Sequence, residues 1–272
     1  MRIGIANDAR PQATTLLLAA AVSIALWFVP FAEVLTYPFR LFVTFIHEGG
    51  HAVAALVTGN SVQSLTVAID GSGETYTTQG GIFSQMLIAS AGYLGSMAFG
   101  ALLLVLIRKA VAARFVLAAA ACSVLGLTLV FGLIKPVVTG GSLAGIPFTV
   151  VAGGTVSAAL MALARFAGRR VAAFFVSLLA VQCILNALLD LETVFFLSAP
   201  FSASAQTDAQ TMANATQVPA IFWTVLWIAL ALGMLWFVTR LFVVTRDVRW
   251  SFVAAAAGVV GAVHGPKRGD DR

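Results

Sequence analysis

The chain has 272 residues, of which 60% are hydrophobic and only 10% charged. A soluble domain carries about a quarter charged residues, so this composition excludes an ordinary soluble enzyme and points to an integral membrane protein. The net charge of +5 is a topology signal rather than a nucleic-acid footprint, because the basic residues collect at the ends of apolar segments.

A membrane-crossing helix needs about 20 apolar residues. On that rule seven candidate spans follow in chain order: Ala13–Val34, Pro38–Val57, Ile82–Ile107, Phe115–Ile134, Ile146–Phe166, Val171–Leu191 and Val218–Thr239. The fold expected is therefore an all-α integral membrane protein, a polytopic helix bundle of about six to seven spans. Residues 1–250 make one membrane domain, and 251–272 an interfacial or disordered tail. No small-residue cleavage site follows Arg2 and Arg10, so the first apolar run is expected to be retained.

The second span carries His47-Glu48-Gly49-Gly50-His51 between apolar flanks. On a helix, His47 and His51 are four residues apart and share one face, where both imidazoles can hold one metal ion. Glu48 stands beside them as a base for water. Inside an apolar span each polar group needs a partner or a purpose, which gives these letters weight.

A short β-hairpin is expected at 61–81, immediately after the metal-binding helix. Leu65, Val67 and Ile69 alternate onto one side, Asp70-Gly71-Ser72-Gly73 makes the turn, and Tyr76, Thr77 and Thr78 favour a second strand. The third span shows Gly92, Ser96 and Gly100 at intervals of four, a stripe that lets helices approach closely in lipid. Cys122 and Cys183 fall mid-span and read as packed thiols rather than a disulfide.

The stretch 192–217 is expected as a loop on the non-cytoplasmic side. Counting charges over seven spans puts thirteen of the sixteen Lys and Arg residues on one side, leaving Arg2, Arg10 and Lys135 on the other. The positive-inside rule makes the richer side cytoplasmic. Trp223, Trp227 and Trp236 in the last span read as packing and interfacial anchors.

A zinc hydrolase needs a third protein ligand, and the acids in or near spans are Asp190, Glu192 and Asp208. Asp190 is favoured, because it ends the sixth span on the same side of the membrane as the end of the histidine span. Asn186, one helical turn earlier, is placed to orient a ligand or polarise a substrate carbonyl. Asp208 follows Thr207 before a helical-looking stretch and reads first as a helix-start residue, second as an alternative ligand.

These features together resemble the site-2 protease family of membrane zinc metallopeptidases, in a branch of short bacterial multi-span members. The likeness runs from about Phe42 to Trp223, and the Ala89–Gly95 stretch and the Asp208-Ala209…Thr216…Pro219-Ala220…Trp223 region share in it. It implies a zinc-dependent intramembrane endopeptidase in the cell membrane, acting on membrane proteins or peptides within the lipid bilayer, with no nucleic-acid partner. His47, His51 and Asp190 would hold Zn2+, with Glu48 and Asn186 as catalytic groups. Two departures stand out: Asp190 is followed by Leu191 and Glu192 rather than Gly, and Gly92 by Tyr93 rather than Pro. The alternatives are a catalytically inactive membrane-binding relative and a transporter or scaffold. The intact Glu48 argues against the first, and the concentration of intramembrane charges on two spans against the second.

Overall fold

Apolar segments in lipid must satisfy their own backbone hydrogen bonds, and helices do so locally. A computed structural model describes residues 10–26, 28–78, 80–140, 143–198 and 207–243. The tail expected at 251–272 lies outside the described residues, as does part of the 192–217 stretch.

The helices are α1 (Arg10–Leu26), α2 (Glu33–Val57), α3 (Ile82–Arg108), α4 (Ala113–Leu127), α5 (Lys135–Thr139), α6 (Ile146–Phe166), α7 (Arg169–Leu197), α8 (Asp208–Thr216) and α9 (Ala220–Val243). The hairpin is β1 (Val62–Val67) and β2 (Gly73–Thr77). A π-helical stretch, Thr128–Ile134, joins α4 to α5, so Ala113–Thr139 forms one continuous rod. Five helical stretches are long and apolar enough to cross a membrane: α3, the α4–α5 rod, α6, α7 and α9. The architecture is an all-α polytopic membrane bundle with a two-stranded hairpin. Arg40 and the His47–His51 segment interrupt the apolar surface of α2, and α1 is only 17 residues long.

One end of the bundle is basic. Arg108, ending α3, donates from Nε to the Leu241 carbonyl of α9 at 2.7 Å. Arg114, starting α4, donates from Nε to the Ala167 carbonyl between α6 and α7 at 3.1 Å. The start of α1 joins this end, since Pro11 and Gln12 share a cavity wall with Ala112, Arg114 and Arg169. The end of α2 lies at the opposite end, where Ser84 at the start of α3 donates to Thr58 at 2.8 Å. Thus α1 starts at one end of the bundle and α2 finishes at the other. Arg10 consequently sits at this basic end, whereas Arg40 sits with the hairpin turn.

The hairpin forms as expected, antiparallel from Val62↔Thr77 to Val67↔Gly73. Leu65 and Val67 are buried, but Ile69 is 77% exposed. β1 stops at Val67, and 68–72 is a turn closed by Ala68 N–H to the Ser72 carbonyl, so the alternation ends before Ile69. Asp70 accepts from Ser72 N–H and Oγ at 2.9 and 2.6 Å. Those two bonds hold its exposed carboxyl below the usual carboxylate range.

Small residues set the helix spacing. A side chain on Gly50 would collide with the Ala91 carbonyl of α3, and one on Gly49 would come within 2.7 Å of Leu127. Gly100 lets α3 approach α7, where an added Cβ would meet Ile184 at 2.8 Å. Cys183 is buried in this contact, while Cys122 lies on an exposed face of α4. The stretch expected as one long loop is largely helical: α7 continues to Leu197, and α8 occupies Asp208–Thr216. Trp236 stacks under the Arg240 guanidinium at 4.5 Å.

Candidate metal centre

The four-residue spacing brings the His47 and His51 rings together, with centroids 4.9 Å apart. Nδ1 of His51 lies 2.7 Å from the Ile88 carbonyl of α3. A ring nitrogen facing a carbonyl carries a proton, which makes Nε2, pointing into the site, the nitrogen available to a metal ion. The Tyr93 ring packs edge-on against His47 at 4.7 Å and tilts over Trp227 at 5.5 Å. Trp227 is itself fixed by a 3.0 Å hydrogen bond from its indole N–H to Ser90. The central tryptophan of α9 thus buttresses the metal helix through Tyr93.

The acid that meets the imidazoles is Asp208. Its Oδ2 lies 3.5 Å from His47 Nε2 and 3.4 Å from His51 Nε2. The ligand atoms of these three residues all fall within 4.8 Å of one another. Thr207 caps α8 by accepting from Gln210 N–H, which makes Asp208 the first helical residue. Ala209 and Met212 are buried and dock α8 on the bundle, and Trp223 of α9 donates to Thr216 at 3.1 Å. Burial works against charge on Asp208, but the two imidazoles outweigh it and hold its carboxyl well below the usual carboxylate range.

Asp190 and Asn186 are placed differently. They line a chamber of about 300 Å³ with His47, Glu48 and Arg40, and Asp190 is not part of the three-residue cluster. Asn186 Nδ2 donates to the Gln182 carbonyl and to Gln182 Oε1 at 2.8 and 3.1 Å.

Glu48 is buried, and Thr75 of β2 fixes it with a 2.7 Å hydrogen bond to Oε2. The strand passes this close because of Gly73, where an added Cβ would stand 2.7 Å from Glu48 Oε1. On its other side Glu48 faces a larger chamber of about 580 Å³, lined by the hairpin, His51 and Asp208.

Gly92 supplies the test of whether a metal fits. A Cβ there would run into Nε2 of both His47 and His51, so the glycine keeps clear the space onto which both Nε2 atoms converge. Two imidazole nitrogens and one carboxylate are the donor set of a catalytic zinc site with an open position. The residues present fit the ion.

Sequence reasoning did not single out Thr75, Gly73 or Tyr93 for the site. It read Gly92 as helix packing, a description that fits Gly100. The signal for Gly92 was its place beside Tyr93 in an otherwise apolar span. Thr75 and Gly73 gave no signal apart from the hairpin that carries them.

The profile of the family described as Peptidase M50B-like matches residues 16–238. No curated protein and no solved structure matches the chain. The match spans α2 with its histidines, the hairpin, α3 and its Gly92, α7, and α8 with Asp208, so every group around the site lies within it. The chain belongs to the peptidase M50B-like family and is a multi-pass membrane protein of metallopeptidase type.

Proposed function

We propose that this protein is a zinc-dependent intramembrane endopeptidase of the cell membrane that hydrolyses peptide bonds in membrane-embedded protein or peptide substrates. The observation that carries the reading is the cluster of His47, His51 and Asp208 around the space cleared by Gly92, with Glu48 at its edge. His47 and His51 hold the ion through Nε2, and Asp208 is the third ligand, because among the described residues its carboxylate is the one that reaches both imidazoles. Zinc, when bound, supplies Lewis acidity toward water and the peptide carbonyl.

The remaining chemistry belongs to the chain. Glu48 accepts a proton from the attacking water at its carboxylate and delivers it to the departing amine nitrogen. Thr75 holds Oε2, which leaves Oε1 to carry that proton. The outer edge of β2 bounds the larger chamber and offers backbone groups to an extended substrate segment as an added strand. The basic end of the bundle faces the cytoplasm by the positive-inside rule, which puts hydrolysis in the opposite half of the membrane.

The test is cleavage of a transmembrane substrate by protein reconstituted in liposomes, with Glu48→Gln as control. The reading predicts a fall of about 10²–10⁴-fold in the control, as expected when a general base is removed, with bound zinc retained. Equal cleavage by both proteins would refute it.

A further inference from the structure

Glu48 and His47 form a wall shared by two chambers, and the smaller one is chemically specific. This inference rests on the peptidase reading and concerns the substrate of that same site. The chamber of about 300 Å³ lies between α2, the hairpin turn and α7. Arg40 of α2 and Asp190 of α7 both line it. Among the described residues, no hydrogen bond or salt bridge engages the Arg40 guanidinium or the Asp190 carboxylate. Asn186, one turn before Asp190, has its amide hydrogens engaged by Gln182. What it presents to the chamber is its Oδ1, an acceptor.

Apart from Glu48, which belongs to the hydrolytic site on the shared wall, the chamber offers acceptors on α7 and a donor on α2. Arg40 and Asp190 are exposed to solvent, and an apolar side chain entering the chamber would take that solvent away and pair with neither. A carboxylate would meet Asp190 as a like charge, and an ammonium would meet Arg40. A carboxamide satisfies both walls: its carbonyl accepts from Arg40, and its NH2 donates to Asp190 and Asn186. The two chambers share His47, Glu48, Ser72, Gly73 and Tyr93. A substrate segment lying in the larger one can thus drop a side chain into the smaller beside the bond presented to Glu48.

We propose that the Arg40–Asp190–Asn186 chamber is a specificity pocket for a Gln or Asn side chain adjacent to the scissile bond of a membrane-embedded substrate.

The experiment uses four apolar host peptides of about 25 residues, long enough to span, identical except for one central Gln, Leu, Lys or Glu. Their affinities for full-length Glu48→Gln protein in detergent are read by fluorescence anisotropy, and kcat/KM and zinc content are measured in the same protein with Glu48 intact. The Gln peptide is expected to bind roughly tenfold tighter than the others, the scale of one well-made buried hydrogen bond. Arg40→Leu should flatten that preference. Asp190→Asn should move it from Gln toward Glu, since the α7 wall then donates, a gain that misfolding cannot imitate. Equal binding of all four peptides, no binding of any, or a Gln preference unmoved by both variants would overturn the pocket. Zinc and hydrolysis without residue preference would sink the pocket and spare the peptidase reading. A Gln preference without zinc or hydrolysis would do the reverse.

Discussion

Two carboxylates approach the His47–Glu48 wall from opposite sides, and their settings differ. Asp208 comes from the first turn of the short helix α8 and faces both imidazole Nε2 atoms at 3.4–3.5 Å. Asp190 comes from the long apolar helix α7 and opens onto a chamber shared with Arg40 and Asn186. The residue embedded in the apolar span serves the chamber, and the residue from the polar connection completes the cluster. A charge in an apolar span demands a purpose, but the purpose need not be ligation.

The largest effect that sharpens this contrast is expected from Gly92→Ala. The new methyl would occupy the space between the two Nε2 atoms, so bound zinc and peptidase activity should both be lost while the protein still purifies as a folded species. Metal analysis beside circular dichroism checks it, and full zinc occupancy in the variant would break the account of the cradle. Next comes Thr75→Val, which removes the hydrogen bond to Glu48 Oε2 but keeps the shape. Supporting groups of this kind are worth about 10–100-fold, so kcat should fall by that order with zinc content unchanged.

Zinc affinity should also weaken as pH falls, because protons compete for all three ligands. The depressed Asp208 carboxyl sets the sign of its own share: the stabilisation it gives the apo-protein is present above the ordinary carboxylate range and is lost only as pH falls through its lowered folded value. A chelator competition series against pH reads the first effect. The smallest effect is expected from Trp223→Phe, which removes the hydrogen bond to Thr216 at a cost of about 1 kcal/mol. It should loosen the docking of α8 and speed zinc loss, and it should leave the residue preference of the Asp190 chamber alone.

Much of this molecule was legible in the sequence. The helices follow from apolar run length, the hairpin from alternation and the Asp70–Gly73 turn, and the paired imidazoles from a four-residue spacing that a helix converts into contact. The rest depends on tertiary docking, which periodicity does not encode. Asp208 follows a capping threonine and looks like any helix start. Its neighbours Ala209 and Met212, buried three residues apart, swing it onto the histidines. That α1 starts at the basic end while α2 finishes at the other was hidden likewise, since counting apolar runs treats the two alike. Gly92 lay within a visible small-residue stripe, yet only the positions of the two Nε2 atoms separate a cradle from a packing surface.

The central claim is that Asp208 closes the site with His47 and His51 while Asp190 lies outside it. Its most direct test is the zinc content of detergent-purified protein, wild type beside Asp208→Ala and Asp190→Ala. The account predicts about one zinc per chain in the wild type, the same in Asp190→Ala, and none in Asp208→Ala. Retention in Asp208→Ala with loss in Asp190→Ala, or a wild type that takes up no zinc on reconstitution, would contradict it.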